Sequence, residues 1–127
     1  MIKITISRTK LGSIQSFKMT GHADYAPHGQ DLVCAGTTAV VFGSINAVEE
    51  LCNVQATIEL GSDGGFLTYE LPNDLDIHTA EKAQILLEGL VVSLKTIELD
   101  YGKYIRLIEK SAGGVTYVKI RSSVFRI

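Results

Sequence analysis

The chain has 127 residues, with 12 lysines and arginines against 14 aspartates and glutamates, and a net charge of −2. That length suits one domain with a core of its own, and the mixed charge offers no broad basic face for nucleic acid. No run of about 18 apolar residues occurs, and Lys3 and Thr5 interrupt the amino terminus, so a soluble, cytoplasmic chain with no secretory signal and no membrane partner is expected.

Residues 2–8 (IKITISR) alternate apolar and polar, the period of a half-buried strand. Gly12 marks a tight turn over 10–13, and residues 14–20 (IQSFKMT) alternate again, which predicts a hairpin whose second strand delivers His22. Residues 24–30 are polar, hold Pro27 and Gly29, and read as a mobile loop able to close over a site. The first helix spans 31–53. At ~100° per residue, Cys34, Thr38, Val41, Ile45, Val48 and Cys52 share a narrow arc, flanked by Val33, Val40 and Leu51, that is expected to face the sheet. Gly36, Ala39, Gly43 and Ala47 gather opposite, small enough for the second helix or a partner subunit to approach closely. Each glycine inside a helix costs ~1 kcal/mol relative to alanine, so a packing gain is expected to offset it.

Residues 54–60 (VQATIEL) and 66–71 (FLTYEL), joined by GSDGG, predict a second hairpin, which 72–76 ends. Ala83, Leu87, Leu90, Leu94 and Ile97 recur at helical spacing within 79–101, Gly102 stops that helix, and 104–109 (YIRLIE) is a short last strand. The order ββαββαβ predicts an α+β two-layer sandwich: a mixed or antiparallel sheet with two helices packed on one face. Residues 1–110 form a single domain. Residues 111–127 are an extension of unknown role, in which 117–127 would make a further strand after a Ser-Ala-Gly-Gly linker or stay disordered.

Two residues of this plan carry chemistry. Cys34 falls in the first helical turn, where backbone N–H groups lack partners and the dipole adds roughly half a positive charge. Both favour thiolate, so a cysteine there becomes partly ionised near neutral pH. His22, twelve positions earlier, is a candidate general base and then general acid. Residue types alone leave the pair open, because a free cysteine is most often a small buried hydrophobe, as Cys52 is expected to be. Asp31 is either the helix N-cap or a third member that orients the imidazole, with the cap favoured. Backbone N–H groups around Cys34 and Ala35 are candidates for an oxyanion hole.

His28 in the loop and His78 before the second helix are expected to be solvated. A metal site is disfavoured because no CxxC or HxxxH pair occurs, and no cofactor is expected. Cys34 and Cys52 lie 18 residues apart on one helix, roughly 27 Å at ~1.5 Å per residue. A disulfide needs Cα atoms within about 7 Å, so reduced thiols follow.

The stretch 21–43, GHADYAPHGQDLVCAGTTAVVFG, resembles the ribosomal-processing cysteine proteases of Firmicutes-type bacteria, the Prp family. Its motif is a Gly-His dipeptide, a loop, and Gly-x-Asp-x-Val-Cys-Ala opening a helix. Gly21 and His22 match the first part, and Gly29, Asp31, Val33, Cys34 and Ala35 the second. The likeness runs over residues 1 to 109. It departs at Thr38, where a serine is expected and the hydroxyl is kept, and in the tail from 111, which the family lacks.

The resemblance implies a cysteine endopeptidase with Cys34 as nucleophile and His22 as base, supported by Gly21, Asp31, Ala35 and Thr38. It implies that the substrate is the N-terminal extension of large-subunit ribosomal protein twenty-seven, cut after a pair of phenylalanines so that the mature protein can assemble into ribosomes. It further implies a homodimer whose ligand is a peptide, not RNA. The residues themselves leave two alternatives: a non-catalytic ribosome-assembly or peptide-binding module in which Cys34 merely packs, and a thiol redox sensor.

Overall fold

Isoleucines at every second position bury one side of the first strand, β1 (Ile2–Arg8): Ile2, Ile4 and Ile6 are in the core while Lys3 is exposed. The structure, a computed structural model, describes residues 1–112. The expected strand within 117–127 lies outside the described residues. β1 turns at Gly12, which adopts φ +93, and returns as β2 (Ile14–Thr20) with Ile4 opposite Met19 and Ile6 opposite Phe17. Ile14 and Phe17 are both buried although three positions apart, so strict alternation fails. The register shifts after Ser7, Arg8 pairs with Ile14, and Gln15 becomes the extra residue of a bulge. Its amide donates to the Leu71 carbonyl at 3.1 Å, and the Leu71 N–H donates to the Gln15 carbonyl at 3.0 Å.

The first helix, α1 (Leu32–Cys52), starts at N-cap Asp31 and ends at Asn53, whose left-handed φ of 54° releases the chain. Val54 is buried and 54–56 carry the chain back to the sheet, so β3 (Thr57–Leu60) is shorter than the expected strand. β4 (Phe66–Glu70) follows it. The second helix, α2 (Ile77–Tyr101), begins earlier than its apolar period suggests, because the cap is Asp76. That carboxylate accepts the Thr79 N–H at 2.9 Å and the Thr79 hydroxyl at 2.8 Å, which puts His78 inside the first turn. β5 (Ile105–Ser111) then lies parallel to β1, and every other pairing is antiparallel. The sheet order is β3-β4-β2-β1-β5, and the molecule is the α+β two-layer sandwich with both helices on one face.

The buried stripe of α1 is rotated from the expected arc. Val33, Thr37, Val41, Ile45 and Val48 are buried, Thr38 and Leu51 are exposed, and Cys34 and Cys52 sit half-buried at the stripe's edge. The helix is apolar or small nearly all round, so its sequence specifies no single face strongly. The Thr37 hydroxyl is enclosed without a hydrogen-bond partner among the described residues. Scattered Gly, Ser and Thr break any uninterrupted apolar run, yet α1 is long and apolar enough by length and composition to cross a membrane; here one face of it packs in the domain core. A Cβ added at Gly36 or Gly43 would meet nothing within 4 Å, so α2 is not the close neighbour of that small-residue face.

Polar contacts fix α2 on the sheet. Gln84 both accepts from the Ile14 N–H and donates to the Ile14 carbonyl, each at 2.8 Å. Arg8 clasps Glu88 through two bonds of 2.7 and 2.9 Å and reaches Glu109 at 2.8 Å, while Lys95 meets the other Glu109 oxygen at 3.0 Å. The Glu88 bond leads in raising the Arg8 pKa against desolvation. Burial pushes the Glu109 carboxyl up, but the bonds from Arg8 and Lys95 outweigh it and hold the group below the usual carboxylate range.

Candidate active site

Gly21 ends β2 with φ +85, a left-handed conformation that suits glycine, and a Cβ there would collide with the Met1 carbonyl oxygen. Its N–H donates to the Gly65 carbonyl at 2.9 Å, which fastens the strand end to the β3–β4 loop. His22 follows, exposed, with its ring against that loop: a Cβ on Gly65 would lie 2.8 Å from Nε2. Ala23 then turns inward and is 2% exposed, and its N–H donates to Sγ of Cys34 at 3.4 Å. The strand end that carries the imidazole is thereby tied to the helix start that carries the thiol.

Asp31 organises the other side. Oδ1 accepts the Cys34 N–H at 2.9 Å, and Oδ2 accepts the N–H groups of Tyr25 at 2.9 Å and Ala26 at 3.3 Å. Desolvation would raise this carboxyl; the bonds from Cys34, Tyr25 and Ala26, with a smaller one from the Cys34 side chain, outweigh it and hold Asp31 below the usual aspartate range. Its hydrogen bonds do not include the imidazole, so Asp31 is a helix cap and loop clamp, not the group that orients His22.

The loop expected to be mobile is fastened in its first half. The Tyr25 ring stands edge-on to Tyr101 at 5.8 Å and to Tyr104 at 5.0 Å, joining the loop to the end of α2. The expected oxyanion donors need correction for a related reason. The Cys34 N–H is taken by the Asp31 carboxylate, and the Ala35 N–H by the Asp31 carbonyl at 3.0 Å in the first intrahelical bond. A cysteine at the third helical position leaves both groups to the cap.

Thr38 lies one turn beyond Cys34 on α1 and is exposed, as are Ala35 and His28. Both thiols are free, Cys52 half-buried at the far end of α1. Among the described residues, no group of three or more His, Cys, Asp and Glu could hold a metal ion. Sequence reasoning missed Gly65 and Ala23. Gly65 reads as a turn glycine until the β2–β4 pairing sets it beside His22, and Ala23 contributes only a backbone N–H.

A thiol at a helix N-terminus, tied through the Ala23 N–H to the strand end bearing an imidazole on this α+β sandwich, fits the class of cysteine proteases. Residues 1–106 match the family model of cysteine protease Prp, and the chain belongs to that family. The ribosomal processing cysteine protease Prp of Bacillus subtilis (strain 168) is 52% identical over 107 residues, covering 84% of this chain and 96% of that protein. The protein of the same name from Staphylococcus aureus (strain NCTC 8325 / PS 47) is 38% identical over 107 residues, covering 84% and 97%. Among solved structures, the essential ribosomal processing protease Prp from S. aureus with a covalently linked product peptide superposes with a TM-score of 0.80 at 36% identity, over 87% of this chain and 100% of that one. The same protease with a substrate peptide gives a TM-score of 0.74 at 35% identity, over the same shares. Of the classes open to the residues alone, the family is that of the protease.

Proposed function

We propose that this protein removes the N-terminal extension of large-subunit ribosomal protein twenty-seven through a Cys34/His22 dyad and an acyl-enzyme. His22 takes the thiol proton, and the Cys34 sulfur pair attacks the scissile carbonyl carbon. The tetrahedral intermediate collapses, the C–N bond breaks, and the imidazolium returns its proton to the departing amine. Water, deprotonated by His22, then attacks the thioester; the carboxylate leaves and the proton restores the thiol. Gly21 and Asp31 hold the two segments in place, while Ala35 lies on the exposed side of the first turn and Thr38 one turn beyond Cys34.

One observation carries this reading: the residue directly after His22 is hydrogen-bonded to the Cys34 sulfur. The substrate assignment draws on relatives named for ribosomal processing, one of them bound to a substrate peptide. In this reading the protein acts in the cytoplasm, as a step of ribosome maturation, with no cofactor. A homodimer is supported by Ala39 and Gly43, exposed on α1 with no atom of the described residues within 4 Å of a Cβ placed on the glycine.

Incubation with the full-length ribosomal precursor and mass spectrometry of the products tests the assignment. One cut after the paired phenylalanines is expected, and an intact precursor would overturn it. Sedimentation at micromolar concentration tests the dimer.

A further inference from the structure

We infer that the backbone N–H of Ala23, in the segment after the base and not on the helix, is the donor that receives the oxyanion during acylation. This rests on the reading of Cys34 as nucleophile. The two helix donors nearest the sulfur are committed to Asp31, Cys34 N–H to the carboxylate and Ala35 N–H to the carbonyl. The Ala23 N–H is already directed at Sγ, at 3.4 Å.

The charge moves in step with that donor. In the free enzyme the N–H faces Sγ, and it stays there once His22 has taken the thiol proton. When the sulfur pair forms the S–C bond, the carbonyl π pair passes to oxygen, so sulfur loses its charge as the oxygen two bonds away gains it. The hydrogen bond passes from one to the other with the donor held in place. Collapse re-forms C=O, breaks C–N and sends the His22 proton to the amine. A donor fixed before the reaction is worth most, since it needs no reorganisation.

Ala23 is so fixed. Its methyl is buried in the core, the His22–Ala23 pair lies between Gly21 and Asp24 with φ of +85 and 56, and beyond Asp24 the N–H groups of Tyr25 and Ala26 are held by Asp31.

The test replaces the Ala23 amide by an ester, through incorporation of lactic acid at position 23, which removes the N–H, weakens the His22 carbonyl as an acceptor and keeps every side chain. Cleavage of a peptide spanning the precursor site should lose about 10²-fold in kcat/KM. A peptide aldehyde, whose adduct with Cys34 carries the same oxyanion, should lose affinity by a similar factor. Iodoacetamide alkylation of Cys34 forms no oxyanion and should slow far less. Ala23→Gly, which keeps the N–H, should stay within about tenfold of the parent.

Unchanged cleavage and aldehyde affinity in the ester protein would overturn the proposal. So would alkylation falling as far as cleavage, which would reduce the N–H to a thiolate partner, or an Ala23→Gly loss equal to that of the ester. Cleavage retained by Cys34→Ala, measured alongside, would instead remove the nucleophile reading itself.

Discussion

A β-carbon on Gly65 would stand 2.8 Å from Nε2 of His22, closer than any packed atom tolerates. The chain at Gly65 is not in the left-handed region, so alanine fits the backbone and only the imidazole has to swing away. Gly65→Ala should therefore leave stability within about 0.5 kcal/mol while lowering kcat/KM by roughly 10²-fold through misalignment of the base. Urea unfolding together with cleavage kinetics checks this; a fully active Gly65→Ala protein would show that the imidazole works from another position.

Asp31 binds helix and loop with different oxygens, so its two roles separate by substitution. Asp31→Ala should cost about 1 kcal/mol in urea unfolding through the lost cap. Asp31→Asn keeps one oxygen for the Cys34 N–H but loses the acceptor shared by Tyr25 and Ala26, so it should recover most stability and less activity. Because the folded carboxyl titrates below its ordinary 3.8, its contribution is complete above that pH and is lost as pH falls through the lower folded value. Asp31→Asn should accordingly show a flatter acid limb in a stability profile.

Arg8 and Glu109 form a largely buried pair, their side chains 11% and 6% exposed, at the end of β1 away from Gly21 and His22. Arg8→Ala leaves the Glu109 carboxylate with Lys95 alone and should cost about 3 kcal/mol, read by thermal or urea unfolding, with cleavage at 25 °C preserved. Glu109 also titrates below its ordinary 4.5, so its stabilisation is whole above that pH and fades as pH falls through the folded value. Glu109→Gln should be less stable at neutral pH yet lose proportionally less on acidification.

What the sequence made legible follows from how strongly each segment commits itself. The isoleucines of β1 admit one buried face, and Asp31 fixes where α1 starts, so the order of elements, the helix start and the approach of the strand end after β2 to the first turn of α1 were readable. The buried face of α1 was not, because Thr37 and Thr38 are chemically identical and the surrounding helix is apolar on most sides. The bulge at Gln15 hid for a similar reason: Ile14 and Phe17 break the two-residue period only once. The roles of Gly65 and Ala23 depend on backbone atoms brought together by the β2–β4 pairing and the loop after His22, which no residue type announces.

The most direct test of the central claim is mass spectrometry of the acid-quenched protein, carrying Cys52→Ala, during turnover of the precursor peptide. An acyl adduct on Cys34 is expected, absent from the Cys34→Ala protein and lost together with cleavage in His22→Ala but not in His28→Ala. Cleavage that persists in a folded Cys34→Ala protein, or an adduct found elsewhere on the chain, would contradict the assignment.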